Sequence, residues 1–510
     1  MNLLKALAKV SSMTLLSRLL GFVRDTLIAR LFGAGMASDA FFVAFKLPNL
    51  LRRLFAEGAF AQAFVPMLGN YRHQHSHQET RAFAADVAGL LGLLLTLTTA
   101  LSMLAAPLLV WLMAPGFWQH PAEFHLTVQL LRITLPYILL ITLSSLAGSI
   151  LNCWGRFSVP ALTPALLNLT FIGFALFLSS AFNPPVLALA WATFVGGCLQ
   201  LLYPLWHLKR IDMLPCPRLN WHNAAAWKVM RQMGPAVFGV SVAQISLLLN
   251  STFASFLPEG SVSWMYYADR LMEFPTGVLG AALGTILLPS LSQLATSDQP
   301  ERYSALLDWG IRLSLLLALP ATLGLGLLAG SLTRALFMYG QFNAHDAAMT
   351  QQALMAYAIG LTGLILIKVL APGFYARQNV RTPVKIAGIT LLATLLMNLV
   401  LVFPLHHTGL ALSIGIAACL NAGLLLYGLI KAGIYQPQVG WQRFLRQLSL
   451  ALMLMALVLL TALALWPDTG SARIVRLVSL ISLGATAYFV ALFAQGLRPS
   501  DFLQRDRFRD

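Results

Sequence analysis

Residues 39–66, DAFFVAFKLPNLLRRLFAEGAFAQAFVP, are mostly Phe, Leu, Val and Ala, yet they carry Asp39, Lys46, Asn49, Arg52, Arg53 and Glu57. Guanidinium, ammonium and carboxylate groups in apolar surroundings recognise charge, through pairing and charge-assisted hydrogen bonds. As one helix the stretch would run about 42 Å, longer than the hydrocarbon core of a bilayer. A charge at mid-membrane costs roughly 2.5–3.5 kcal/mol on insertion scales, so these groups must face a water-filled cavity or each other. Asp39, Lys46 and Arg53 recur every seven residues and Arg53 and Glu57 are four apart, which puts them on a shared face. Arg52 points about 100° away from Arg53. Pro48 is expected to bend the helix. The competing explanation is an amphipathic surface helix or snorkelling side chains. The strongly apolar remainder of the chain argues against it.

Further ionisable residues lie in other apolar stretches. Near the N-terminus Ser17, Gly21 and Arg24 share one helix face, and Arg18 and Asp25 share another. Purely structural ion pairs, Arg18 with Asp25 and Arg53 with Glu57, are the bland alternative to a ligand site. Downstream, Ser263, Asp269, Arg270 and Glu273 fall within SVSWMYYADRLMEFP, and Lys368 sits in another apolar run, as a coupling residue or as the partner of an acid. Tyr266 and Tyr267 could stack on a sugar, although aromatics at helical spacing usually pack. His73, His75 and His77 have a metal-like spacing but occupy a polar loop, which points to a solvated segment. The four cysteines have no paired spacing, so neither a disulfide nor a metal site is expected. Neither G-x-x-x-x-G-K-[ST] nor H-E-x-x-H occurs, and no enzymatic constellation is recognisable. No cofactor is implied.

Composition supplies the frame that must position these groups. Of 510 residues 58% are hydrophobic and only 10% charged, and the mean hydropathy is +0.74. A soluble domain carries about 25% charged residues, so the chain is expected to be an all-α polytopic membrane protein. The net charge of +16 is scattered through short loops, which fits membrane topology and not nucleic acid. Apolar length and Gly, Pro and charge breaks place about fourteen spans near 10–30, 39–68, 83–112, 126–150, 159–181, 184–207, 224–254, 263–294, 304–329, 346–373, 383–404, 408–431, 444–466 and 475–497. Arg18 interrupts the first apolar run before any small-residue cleavage site, so no cleavable signal peptide is expected. Residues 2–9 read as an amphipathic lead-in. With the N-terminus in the cytoplasm, about 21 of the 34 Lys and Arg fall in cytoplasmic loops and tails. Only about four, Arg30, Arg334, Arg473 and Arg476, fall outside. Both termini are therefore expected inside.

An internal repeat appears when Pro66 is laid on Pro289: the same offset lays 40–68 on 263–291 and Pro160 on Pro383. Six spans per unit keep both halves in one orientation, related by an axis along the membrane normal. The halves differ in charge where they align: Lys46 faces Asp269, Arg52 faces Pro275 and Glu57 faces Gly280. A basic first half opposite a second half carrying Asp269, Arg270 and Glu273 suggests the midplane cavity of a transporter.

The run SRLLGFVRDTLIARLFGAGMASDAFFVAFKLPNLLRRLFAEGAFAQAFVP, then EGSVSWMYYADRLMEFPTGVLG and KVLAPGFYARQNVRTPVKI, resembles the MurJ (MviN) family, lipid II flippases of the MOP exporter superfamily. The resemblance covers nearly the whole chain. It implies a two-lobed alternating-access carrier in the bacterial inner membrane, which moves the undecaprenyl-pyrophosphate-linked peptidoglycan precursor lipid II from the inner to the outer leaflet. Residues 1–210 would form the first lobe, 211–435 the second, and 436–510 the last two spans, lining a groove for the lipid tail. The resemblance makes Arg18, Arg24, Arg52, Arg270, Asn49 and Ser263 the substrate-binding set. Asp25, Asp39, Lys46, Arg53, Glu57, Asp269, Glu273 and Lys368 form a gating or charge network. A pyrophosphate suits arginine forks. Some relatives couple to Na⁺, but spans seven, eleven and twelve hold no carboxylate here. The expected partners are lipid II, membrane lipids and other cell-wall synthesis proteins. The alternatives are another exporter of the same fold, an O-antigen-lipid flippase or a drug/cation antiporter, for which unpaired cavity acids would be wanted, and a non-transporting scaffold, which would not maintain so many costly charges.

Overall fold

The computed structural model describes residues 3–52, 60–297, 299–468, 470 and 472–497. Among them there are helices and no strands. The α-helices are α1 (Leu3–Phe32), α2 (Met36–Leu51), α3 (Phe60–Gln74), α4 (His77–Leu104), α5 (Ala106–Met113), α6 (Pro121–Thr134), α7 (Tyr137–Cys153), α8 (Ser158–Gly173), α9 (Leu187–Lys209), α10 (Ala224–Ala254), α11 (Ser261–Pro275), α12 (Ala281–Thr296), α13 (Pro300–Leu336), α14 (Ala344–Tyr375), α15 (Arg381–Lys431), α16 (Trp441–Leu465) and α17 (Arg473–Ala494). The expected spans fall on these or on broken pairs such as α4–α5, except that residues 53–59 of the span expected at 39–68 lie outside the described residues. Nine helices of the described residues are long and apolar enough to cross a membrane. The helices that carry most of the candidate charges, α1, α2 and α11, are not among the nine: α2 and α11 run only 16 and 15 residues, and α1 carries Arg18, Arg24 and Asp25 within its apolar run. Leu101, Leu104, Phe177, Phe403 and Leu465 are all more than 60% exposed. Water would penalise that surface and hydrocarbon does not, so the chain is a multi-pass membrane protein.

Helix starts follow local chemistry. Ser76 and Glu79 form a capping box at α4, Asn343 and Asp346 form one at α14, and Asn223 accepts the Ala225 and Ala226 amides at α10. Pro121 and Pro300 open α6 and α13, where the missing N–H costs nothing.

The duplication is visible in these starts. His77 and Pro300, Pro121 and Ala344, and Ser158 and Arg381 are each separated by the same offset as Pro66 and Pro289, and each pair opens an equivalent helix. α15 is two helices joined at His406, whose φ of 48° breaks the backbone course. Its halves correspond to α8 and α9.

Two compact units result, 1–263 and 264–510. In the first, α1 packs on α8, α2 on α6, and α10 on α3, α4 and α5. The segment before α10 is strapped to α4: the Arg218 amide donates to Ala85 O at 3.1 Å, and Asn220 and Asn223 both donate to Asp86 Oδ2, at 3.1 and 2.8 Å. Gly89 permits this, since a Cβ there would lie 2.1 Å from Arg218 O. α10 is thereby fixed to the first unit.

In the second unit α14 packs between α13 and α15. Cβ atoms at Gly360 and Gly363 would collide with the backbone of Gly415 and Ala418, at 2.4 and 2.6 Å. Small residues are what let these helices close, since lipid supplies no hydrophobic drive between them. α16 and α17 pack on α13 through Leu316, Leu448, Ala451, Leu459 and Leu480, with Tyr488 donating to Leu316 O at 2.7 Å. At one end of this group Asp468 gathers Arg334 and Arg473, at 3.6 and 3.5 Å. Burial pulls Asp468 up, but the Gly470 amide and the Arg473, Arg334 and Arg476 guanidiniums prevail and hold it below the usual carboxylate range.

Candidate functional site

In the first unit the charged residues are held one by one. Arg24, only 7% exposed, lies where α1 packs on α8. Its Nε and Nη2 donate to Asp25 Oδ1 at 2.9 and 2.7 Å, and its Nη1 donates to Asn168 Oδ1 at 3.1 Å. The guanidinium also lies 5.3 Å from the Phe171 ring centre. Asn168 in turn donates to Ser17 O at 2.9 Å and sits against Gly21. The face shared by Ser17, Gly21 and Arg24 is thus the face that Asn168 reads. The structural pair of Arg18 with Asp25, the bland alternative, is not formed: Asp25 is buried with Arg24, whereas Arg18 is exposed and has no described partner. The Arg24 side chain is long enough to fold back onto its chain neighbour, which a helical wheel of Cβ directions does not capture.

On α2, Arg52 Nε and Nη2 fork onto Asn49 Oδ1 at 3.1 and 3.0 Å, within one turn. Lys46 Nζ donates to Ser251 Oγ on α10. Asp39 is 2% exposed and accepts from the Gly260 amide at 2.7 Å, from the Ser263 amide at 2.8 Å and from Ser263 Oγ. Asp39 therefore ties the start of α2 to the start of α11. Asp39 and Lys46 share a face but have different partners. The Ser263 hydroxyl, expected on the substrate, is used by Asp39. Arg53 and Glu57 lie outside the described residues.

In the second unit Arg270 Nη1 pairs with Glu273 Oε2 at 2.6 Å, and its Nε and Nη2 donate to Tyr266 OH, both at 3.2 Å. Tyr266 therefore carries the arginine, and Tyr267 is fully buried against Phe337 and Phe342. Asp269 is exposed and acts electrostatically on Tyr357. Lys368 on α14 is exposed, and its stem lies where a Cβ on Gly280 would meet Lys368 Cγ at 3.1 Å. Gly280 ends the π turn Thr276–Gly280 that interrupts α11 and α12.

Sequence reasoning missed Asn168, Ser251 and Tyr266 as partners. A lone amide in the apolar run of α8 was the available signal for Asn168. No comparable signal marked Ser251, one hydroxyl among many. Chemically, Arg24, Arg52 and Arg270 are held in fork orientations, on Asp25 and Asn168, on Asn49, and on Glu273 and Tyr266 respectively, and a guanidinium fork is a geometry that can also meet an anion.

The family profile described as "Lipid II flippase MurJ" matches residues 28–481. A Burkholderia cenocepacia protein named lipid II flippase MurJ is 48% identical over 514 residues, which cover 99% of this chain and 100% of that one. A Vibrio cholerae protein, a probable lipid II flippase MurJ, is 41% identical and covers 98% and 97% of the two chains. A solved structure titled lipid II flippase MurJ, inward closed conformation, superposes with a TM-score of 0.79 at 25% identity, over 94% of this chain and 97% of that one. An inward-facing multidrug resistance MATE transporter of the MOP superfamily shares the fold, with a TM-score of 0.67 at 16% identity over 84% and 98%.

Proposed function

The chain belongs to the MurJ family of lipid II flippases, and from that premise we propose that its arginines bind the substrate's pyrophosphate by exchanging the partners they now hold. The activity is transport, not a chemical conversion, and it serves peptidoglycan and cell-wall biogenesis. Lipid II is the substrate.

The observation that carries the binding proposal is the unequal parking of the arginines. Arg52 forks onto a neutral amide oxygen, which a phosphate oxygen outcompetes, because charged acceptors bond roughly twice as strongly. Arg18 is exposed. Arg270 shares its fork between Tyr266 and a half-exposed Glu273. Arg24 is buried on a carboxylate, and breaking such a pair without replacement costs about 3–5 kcal/mol. Arg18, Arg52 and Arg270 therefore engage the diphosphate first, with Asn49 released from Arg52. Arg24 fixes the position of α1 and exchanges Asp25 last.

Asp39, Lys46, Asp269, Glu273 and Lys368, with Arg53 and Glu57, gate or balance this set. The carrier works by alternating access from the inner to the outer leaflet, in the bacterial inner membrane with both termini cytoplasmic. The lobes 1–210 and 211–435 perform the cycle, and 436–510 receives the lipid tail. Other cell-wall synthesis proteins are its partners in the membrane.

The test is lipid II translocation in proteoliposomes. Arg52→Ala should abolish it at normal insertion, and Arg52→Lys should rescue poorly if the bidentate geometry matters. Normal flipping by Arg52→Ala would remove the assignment.

A further inference from the structure

Glu123, in the first turn of α6, is a buried acid with no place in the anion site. Its side chain is 2% exposed, and its Oε1 has no hydrogen-bond partner among the described residues. The charged groups that act on it, Asp39 and Glu259, are both acidic.

The elements packed against α6 are α2, α5, α9 and the turn Pro115–Gln119. α5 and the turn hold no charge, and the basic residues of α9 lie in its last turn, at His207 and Lys209. On α2 the one cation is Lys46, which donates to Ser251. α6 itself carries the exposed His125 and, a turn from its end, Arg132, which donates to Met103 O; the exposed His120 precedes it. The lone pairs of Asp39 already serve Gly260 and Ser263.

The duplication supplies an internal control. The repeat offset lays Glu123 on Asp346, in the first turn of the equivalent helix α14. Asp346 is as deeply buried, yet its oxygens accept from Trp264 Nε1 at 3.0 Å and from the Asn343 amide at 3.1 Å. One position is a carboxyl with hydrogen-bond donors on both oxygens and the other is an orphan. An ionised carboxylate with no donor, buried beside two acids, is far costlier than a protonated one. A metal ion is not a fitting occupant, since no group of His, Cys, Asp or Glu among the described residues has the geometry to hold one.

We propose that Glu123 is a proton-binding site controlling the tie between Asp39 and residues 260–263. With the proton on, Glu123 is neutral and Asp39 keeps Gly260 and Ser263. With the proton lost to solvent, the charge of Glu123 opposes those of Asp39 and Glu259, and the tie loosens. The proposal does not depend on the roles of the arginines.

Two measurements on the full chain in proteoliposomes test it. Dicyclohexylcarbodiimide, which reacts with protonated carboxyls in apolar surroundings, should modify the wild-type peptide containing Glu123, and modification should fall as pH is raised. Na⁺ at fixed pH should leave it unchanged. Amide hydrogen exchange is then compared between wild type and Glu123→Gln at each pH, so that intrinsic rates cancel. Residues 258–263 should exchange alike in the two proteins at low pH. At high pH they should exchange at least about tenfold faster in wild type, since one added charge even about 12 Å away contributes that factor at an effective dielectric near 20. Absence of modification at every pH, protection by Na⁺, or equal exchange in the two proteins throughout would each overturn the proposal. The labelling arm needs no variant, so a folding defect in Glu123→Gln leaves it intact.

Discussion

Replacing Asn168 by Leu keeps the branched heavy-atom shape of the side chain but withdraws the acceptor of Arg24 Nη1 and the donor to Ser17 O. The second loss is minor, because Ser17 O lies inside α1, where the helix ladder also serves it. The first removes a hydrogen bond to a charged donor in a 7% exposed setting, worth about 1.5–3 kcal/mol. Asp25 still holds Nε and Nη2, so the pair survives and the fold is retained, but the plane of the guanidinium is no longer fixed. If that energy appears in the transport cycle, flipping falls by roughly ten- to hundredfold, since about 1.4 kcal/mol is a factor of ten. The assay is the rate of lipid II translocation in proteoliposomes at matched reconstitution, alongside the melting temperature in detergent. A positioning role requires that Asn168→Leu add little in an Arg24→Lys background, where no fork remains to be oriented. Wild-type flipping by Asn168→Leu, or full additivity with Arg24→Lys, would refute the reasoning.

Other expectations follow from the same geometry. Gly363→Val forces a branched side chain against the Ala418 backbone, 2.6 Å from its Cβ, and should lower the melting temperature by roughly 2–8 °C through overpacking. Asp468 is held below its ordinary range, so its contribution to stability is present above the ordinary carboxylate pKa and is lost as pH falls through the depressed folded value. Asp468→Asn should therefore flatten the acid limb of the melting-temperature profile and leave other regions unchanged. If both termini are cytoplasmic, cysteines placed at Gln119 and Gly470 should react with an impermeant thiol reagent from outside and those at His75 and Gln378 should not, and the opposite pattern would invert the assigned orientation.

Much of this was legible in the residues alone. Hydropathy, helix length and charge breaks are one-dimensional properties, and they placed the spans within a few residues of α9, α10, α14 and α16, because the bilayer imposes one length on every crossing. The duplication was legible too, since a single fixed offset survives in Pro160 and Pro383 and reappears in the helix starts. The membership of the family and the existence of a charged set in α1, α2 and α11 needed no coordinates.

Partnerships were a different matter. That Asp25 would take Arg24 and not Arg18 depended on side-chain reach and on α8 delivering Asn168 from 144 residues away. That Ser263 would serve Asp39, Lys46 would find Ser251, and Tyr266 would carry Arg270 while its neighbour Tyr267 went to the core depended on which helix faces meet. The silent Glu123 and its satisfied counterpart Asp346 make the point most directly. Two acids in the first turn of equivalent helices look alike in sequence. Whether an indole N–H or another carboxylate lies alongside is set by residues such as Trp264 and Asp39, 82 and 84 positions away along the chain. Helical periodicity specifies which face of its own helix a side chain occupies. Its electrostatic partner is fixed only when the other helices have packed, because that partner comes from their residues and not from its own.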